Sequence, residues 1–179
     1  MRLSVPPEGL RRDGVVLRYA VLDDVDAVVP AFTDLELREA GNLPPFDRDG
    51  LIASLDEMPV LAEMGRLLAL AAVDAGTNDV LGGGTLHHLD IERDIVEIGY
   101  FVLPHARRRG VATITARLLA EHAFSLGIMR VAAYVNVGNT ASERVLERAG
   151  FTREGIVRSL PVPDGRRVDK TLFSLLPGE

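Results

Sequence analysis

Between residues 66 and 102 three strand-length apolar segments follow one another: Arg66–Val73, Val80–His88 and Ile95–Val102. Only short turn sequences separate them, Ala75-Gly76-Thr77-Asn78-Asp79 and then Asp90 to Asp94, so an antiparallel meander is the simplest reading. A helical pattern takes over from Gly110 to about Leu126. Val111, Ile114, Thr115, Leu118, Leu119, His122 and Leu126 share one face, Arg117 and Glu121 lie elsewhere, and Gly127 supplies a C-cap. A strand at Met129–Val135 comes next, and Thr140 with Glu143 fits a capping box opening a helix through Arg148 that Gly150 ends. Phe151–Leu160 and Lys170–Leu176 are the last strands, joined through Pro163-Asp164-Gly165. Upstream, the pattern places a strand at Val15–Ala20, a short helix capped by Asp23–Asp24 and limited or bent by Pro30, a loop over Gly41–Asp49, and a helix from about Asp49 to Met64 with a break near Pro59. A meander followed by alternating strands and helices predicts a mixed α/β domain: a mainly antiparallel central sheet flanked by helices, with one helical crossover.

The chain has 179 residues, 47% hydrophobic and 26% charged, which suits one globular domain spanning 1–179. A formal net charge of −6 argues against nucleic acid as a partner and mildly favours cationic partners such as amines. The absence of cysteine excludes disulfides, thiolate metal sites and an acyl-cysteine mechanism. Leu67–Val73 and Ile114–Ala120, the longest apolar runs, are far shorter than a membrane span. Arg11–Arg12 runs into Asp13 and Gly14 rather than an apolar stretch, so no export signal is read and a cytoplasmic, membrane-free protein is expected.

The sharpest chemical feature is Pro104-His105-Ala106-Arg107-Arg108-Arg109-Gly110-Val111-Ala112, leading directly into a helix. Three arginines at a helix N-terminus have the wrong sign for the dipole there. A phosphate would resolve the conflict, because free backbone N–H groups, the dipole and guanidinium forks would face one anion; a solvated basic turn is the alternative. No P-loop or dinucleotide fingerprint is present, and Gly82-Gly83-Gly84, inside a strand pattern, reads as a bulge or a close backbone contact. His87, His88, His105 and His122 show no HExxH spacing, His122 reads as a core or boundary residue, and no metal site is expected. No GxSxG elbow supports serine hydrolase chemistry.

The stretch Val96-Glu97-Ile98-Gly99-Tyr100-Phe101-Val102-Leu103-Pro104, with Arg107-x-x-Gly110-x-Ala112, resembles the acyl-CoA-binding motif of the GNAT superfamily of N-acetyltransferases, Gln/Arg-x-x-Gly-x-Gly/Ala. Asn139-Thr140-Ala141-Ser142 and Gly150-Phe151-Thr152-Arg153-Glu154-Gly155 are similar to that family's second block in the form of its RimJ/RimL-type branch. The likeness runs in element order from about Val15 to Leu176 and is specific from Glu97 to Gly155. It implies the GNAT acyl-CoA N-acyltransferase fold and acetyl-CoA as cosubstrate, with no metal.

The resemblance further implies that Arg107, Arg108, Arg109, Gly110, Val111, Ala112 and Thr113 hold the CoA pyrophosphate. Phe101 and Val102, ending a splayed strand, would pair with the pantetheine; Asn139 would contact its arm and Ser142 would face the sulfur. Asn139 is equally an N-cap candidate, and Ser142 a small polar residue at a helix start. An attacking amine must lose a proton, and Glu97, on the strand that ends beside the thioester, is the favoured general base, with a surface glutamate as the alternative. Leu146 stands where many family members carry a tyrosine acid, so Ser142 is preferred for protonating the thiolate, with Tyr134 and Tyr100 in reserve. The expected reaction is direct acetyl transfer in a ternary complex to a peptide N-terminus, a polyamine or another small amine. A weakly catalytic acyl-CoA-binding or sensing module, and an enzyme for another anionic nucleotide, are the competing readings. Ala31–Glu57 and Pro161–Lys170 would build the acceptor side, where Asp34, Glu36, Glu39, Asp47 and Asp49 either meet a cationic amine or form a solvated face. A homodimer, common in the family, has no legible signature in the sequence.

Overall fold

A computed structural model describes residues 1–35, 37–38, 43–162 and 165–179. The expectations for Glu36, Glu39, the start of the Gly41–Asp49 loop and the Pro163-Asp164 turn lie outside the described residues. The strands are β1 (Leu10–Arg12), β2 (Val15–Arg18), β3 (Leu67–Asp74), β4 (Val80–Asp90), β5 (Ile95–Val102), β6 (Arg130–Asn136), β7 (Thr152–Pro161) and β8 (Arg167–Leu175). The helices over eight residues are α1 (Val25–Thr33), α2 (Arg48–Glu63), α3 (Val111–Ser125) and α4 (Thr140–Ala149). One sheet holds the strands in the order β1-β2-β3-β4-β5-β6-β8-β7. Every neighbouring pair is antiparallel except β5–β6. That parallel pair follows from its connection, because α3 must carry the chain back to the starting edge.

The meander β3-β4-β5 and the crossover through α3 match the pattern of apolar segments. β1 was not anticipated, although its signal is present: Asp13-Gly14 makes a two-residue hairpin turn with φ of 46° and 80°, aligning Arg12 with Val15 as such dipeptides do. The expected break at Pro59 does not occur. α2 runs through it, and α1 through Pro30. A proline in a helix interior forfeits one backbone hydrogen bond and costs about 3 kcal/mol, but in α2 buried Leu51 and Ala62 on either side and the Leu3 N–H donated to the Ala62 carbonyl hold the helix in place. The capping box opening α4 is also corrected. Asn139 is the N-cap, accepting from the Ser142 N–H, while Glu143 is drawn away to accept from the Thr171 hydroxyl at 2.9 Å.

The core lies on both sheet faces. The larger cluster joins Leu68, Leu86, Val96, Ile98, Leu119, Val131, Leu146 and Phe173 between the sheet and α3 and α4. A smaller one gathers Val16, Ala71, Val73, Ala31 and Leu103 with Phe32 and Phe101 beneath α1. The glycine triplet sets these distances. A Cβ at Gly84 would come within 2.8 Å of Thr115 and Leu119 of α3, one at Gly83 within 2.7 Å of the Phe101 ring, and one at Gly82 within 2.2 Å of the Phe101 carbonyl oxygen. The expected close contact is therefore what these residues provide, and a register shift between Ala72 and Val73 of β3 accompanies it.

Candidate active site

β5 and β6 pair only at Ile95–Arg130, Val96–Val131 and Glu97–Ala132. Beyond Glu97 the strands part, and β5 continues to Val102 hydrogen-bonded to β4 alone. A cavity of about 570 Å³ occupies this gap, within the size range of small-molecule sites. Strand alternation divides its lining between the two sheet faces. Glu97, Gly99 and Phe101 point to the α1 side, where Phe101 meets Phe32 edge-on at 5.7 Å. Tyr100 points to the α4 side, where its hydroxyl lies 2.8 Å from Ser142 Oγ. Glu97, Phe101, Asn139, Ser142, Tyr134 and Tyr100 all line this one cavity. A more open depression of about 670 Å³ between residues 4–11 and α3 includes His122, whose Nε2 is engaged by the Leu3 carbonyl at 3.1 Å. His122 is buried, as its place on the apolar face predicts.

Glu97 sits largely buried between two imidazoles. His87 Nε2 is 3.3 Å from one carboxylate oxygen and His88 Nδ1 is 2.9 Å from the other. Burial pushes the Glu97 carboxyl upward, but the hydrogen bonds from His87 and His88 together outweigh it and hold the group below its ordinary value. His87 faces Glu97 directly across the β4–β5 ladder, and its other nitrogen lies 3.1 Å from Thr85 Oγ1. Helical HExxH spacing does not reveal this cluster, because the histidines lie on a strand. Counting outward from the closing pair Asp90–Ile95 sets His88 opposite Glu97, and the bulge between them brings His87 into that place as well.

On the opposite face, burial raises the Tyr100 phenol to about 12 despite the opposing Ser142 hydrogen bond, so the phenol keeps its proton at neutral pH. Asn139 accepts from the Ser142 backbone N–H at 3.1 Å, which fixes the first turn of α4. Tyr134 faces the α1 side; burial raises its phenol, and the Glu97 charge adds to the effect. Leu146 is fully buried in the larger core cluster. Lys170, buried on β8 opposite Asn136, has its ammonium pKa lowered by burial, against the pull of the Glu97 charge.

Arg107 to Thr113 lie outside the cavity, around the N-terminus of α3. Buried Ala106 and Val111 anchor the segment at both ends, leaving Arg107 to Gly110 exposed between them. Arg108 (φ 63°) and Gly110 (φ 82°) both adopt left-handed backbone, and no side chain caps the helix. Successive N–H groups in such a turn, ahead of a helix dipole, form an anion-binding concavity. Arg109 approaches Asp74 at 3.5 Å, and Arg107 reaches back to the Val102 carbonyl at 3.5 Å. Val102 ends β5 beside this turn. On the acceptor side, Asp47 caps α2 through the Gly50 N–H and Asp34 accepts from the Leu37 N–H, both as exposed, solvated groups.

Comparison with known proteins agrees with this geometry. The N-acetyltransferase p20 of Bacillus licheniformis is 28% identical over 178 residues, covering 96% of this chain and 98% of that protein. Mycobacterium smegmatis RimJ in complex with CoA-disulfide superposes with a TM-score of 0.78 at 22% identity, over 96% of this chain and 84% of RimJ. Spermidine N-acetyltransferase from Vibrio cholerae, in complex with CoA and spermine, superposes with a TM-score of 0.77 at 16% identity, over 92% and 96% of the two chains. No helix among the described residues is long and apolar enough to cross a membrane. Residues 15–152 match the family described as the acetyltransferase (GNAT) domain, and the chain belongs to this family of N-acetyltransferases.

Proposed function

We propose that this N-acetyltransferase moves an acetyl group from acetyl-CoA to a primary amine by direct attack in a ternary complex. The carrying observation is the single cavity that crosses the sheet at the β5–β6 gap, with a carboxylate on one side and a pair of hydroxyls on the other. Acetyl-CoA fits the remaining features: an uncapped, arginine-flanked helix N-terminus for its pyrophosphate, and the unpaired edge of β5 up to Phe101 and Val102 for its pantetheine. The cosubstrate supplies the reactive thioester; the chain supplies position and proton transfer. Arg107, Arg108, Arg109 and the backbone from Gly110 to Thr113 hold the phosphates, and Asn139 lies beside the arm.

The amine enters from the α1 side. Glu97, ionised at neutral pH, takes the amine's proton directly or through one water. An α-amine titrates near 8 and a lysine amine near 10.4, roughly, so most of the amine arrives protonated, and Glu97, held ionised by two imidazoles, contributes a positioned acceptor for that proton rather than a strong base. On the α4 side Ser142 Oγ protonates the departing thiolate, and Tyr100, still protonated and 2.8 Å away, shares the proton. Tyr100 thereby answers the absence of a tyrosine where Leu146 stands. The lack of cysteine supports direct attack over an acyl-enzyme. A structural neighbour named as a spermidine N-acetyltransferase is in complex with CoA and spermine, which supports small amines as a substrate class beside peptide N-termini.

The test is release of free thiol from acetyl-CoA across a panel of peptides, polyamines and small amines, with products weighed by mass spectrometry. Thiol that appears only with an amine, together with an acetylated amine, supports the reading; background thiol with every amine contradicts it.

A further inference from the structure

β4 does something at His88 that a regular strand cannot. Successive side chains of a strand point to opposite faces, so His87 and His88 should diverge. The ladder instead jumps from His87–Glu97 to Asp90–Ile95, two residues of β4 facing one of β5. His88 takes up this bulge with φ of 50°, an uncommon conformation for a residue bearing a side chain. The result is that neighbouring histidines meet the same carboxylate, one on each oxygen, with their rings 4.7 Å apart.

We propose that His87, His88 and Glu97 form a binding site for a divalent transition metal of the zinc class, and that the bound ion switches acyl transfer off. One ligand atom from each residue lies within 4.8 Å of the others. His87 Nε2 lies 3.3 Å from one Glu97 oxygen and His88 Nδ1 lies 2.9 Å from the other; ligands held about 2.0–2.1 Å from a tetrahedral zinc ion stand about 3.3–3.4 Å apart, so binding through one oxygen needs a small rotation of the carboxylate toward the second imidazole. Two imidazole nitrogens and one carboxylate oxygen are a common zinc donor set that leaves one position open. The second nitrogen of His87 is already engaged by Thr85 Oγ1 at 3.1 Å. Metal binding requires the His87 proton on that nitrogen rather than on Nε2, where it is donated to Glu97 in the metal-free site; the Nε2 lone pair then faces the ion, the outer-shell arrangement that orients metal-bound histidines. His88 is exposed, which gives an ion a path from solvent, while His87 and Glu97 line the cavity.

Binding depends only on these three side chains. Its effect on turnover rests on the reading of Glu97 as general base, since a carboxylate committed to a metal no longer receives the amine's proton. Metal-stripped protein is titrated with Zn²⁺ by calorimetry and with Co²⁺ by visible absorption, for the wild type, His87→Gln and His88→Gln. One ion per chain, the absorption of a four-coordinate Co²⁺ and at least tenfold weaker binding in both variants are expected. His88→Gln alters an exposed side chain, so its thermal unfolding serves as the folding control. No heat with Zn²⁺, or binding unchanged in both variants, overturns the site. Acetylated product is then measured by mass spectrometry with a chelator and with saturating Zn²⁺. At least a tenfold loss with zinc, reversed by chelation, is expected; undiminished transfer by zinc-loaded protein overturns the switch. Absence of transfer in both conditions would contradict the proposed function and the switch together, while the calorimetry still decides the site.

Discussion

Residues 104–113 make their part of the site from one unbroken stretch of chain, whereas the corner around Glu97 is assembled from Thr85, His87 and His88 on one strand and the carboxylate on the next. The first works mainly through backbone: left-handed residues at 108 and 110 and an uncapped helix. The second works through side chains whose meeting depends on register and on a bulge at His88. A backbone cradle tolerates much change in its side chains, while a cross-strand corner is lost with one atom of the carboxylate or one step of register. Binding and chemistry should therefore respond separately to mutation.

The largest separation is expected for Glu97→Gln, which keeps the shape and removes the base. Turnover should fall about 10²–10⁴-fold with coenzyme affinity retained, as read from steady-state rates alongside calorimetry. Next, Arg107→Glu and Arg109→Glu should each weaken CoA binding by about 1.5–3 kcal/mol through lost charge-assisted bonds. The loss should shrink at high salt, and affinity unchanged from the wild type in both variants would make the basic turn incidental. Gly84→Ala tests the scaffold shared by both regions, because its Cβ would press on Thr115 and Leu119. Overpacking of this kind costs about 1–3 kcal/mol and should appear as a lower denaturation midpoint. Asn139→Ala removes the α4 cap, at about 1 kcal/mol of stability, measurable by the same denaturation. A further effect, confined to alkaline pH, concerns Tyr100. Its folded value of about 12 lies above the ordinary 10, so the native state holds this proton more tightly and stability should decline as pH climbs from 10 through 12. Tyr100→Phe should flatten that decline relative to the wild type.

The same contrast explains what could be read before the structure. The meander, the α3 crossover and the Arg107–Thr113 segment are legible because their signals are local: apolar periodicity, turn residues, and a basic run entering a helix. Gly82–Gly84 was readable as a close contact, although not which side chains would approach it. β1 was missed where a local signal existed, in Asp13-Gly14. Pro59 misled because proline reports a local cost, while tertiary packing of Leu51 and Ala62 decides whether the helix survives it. Thr140 and Asn139 are adjacent cap candidates that differ only in where the chain turns, and the structure places the cap at Asn139. The histidine pair at Glu97 could not be seen from spacing. Hairpin register sets position 88 opposite 97, and 87 joins it only because the strand bulges.

The account depends on binding and chemistry being separate parts of one site that meet across the β5–β6 gap. Calorimetric titration of coenzyme A into wild-type and Glu97→Gln protein, in one buffer, tests this most directly. A single site of the same affinity in both proteins is predicted. No heat at millimolar coenzyme A, or binding lost on changing Glu97 alone, would contradict it.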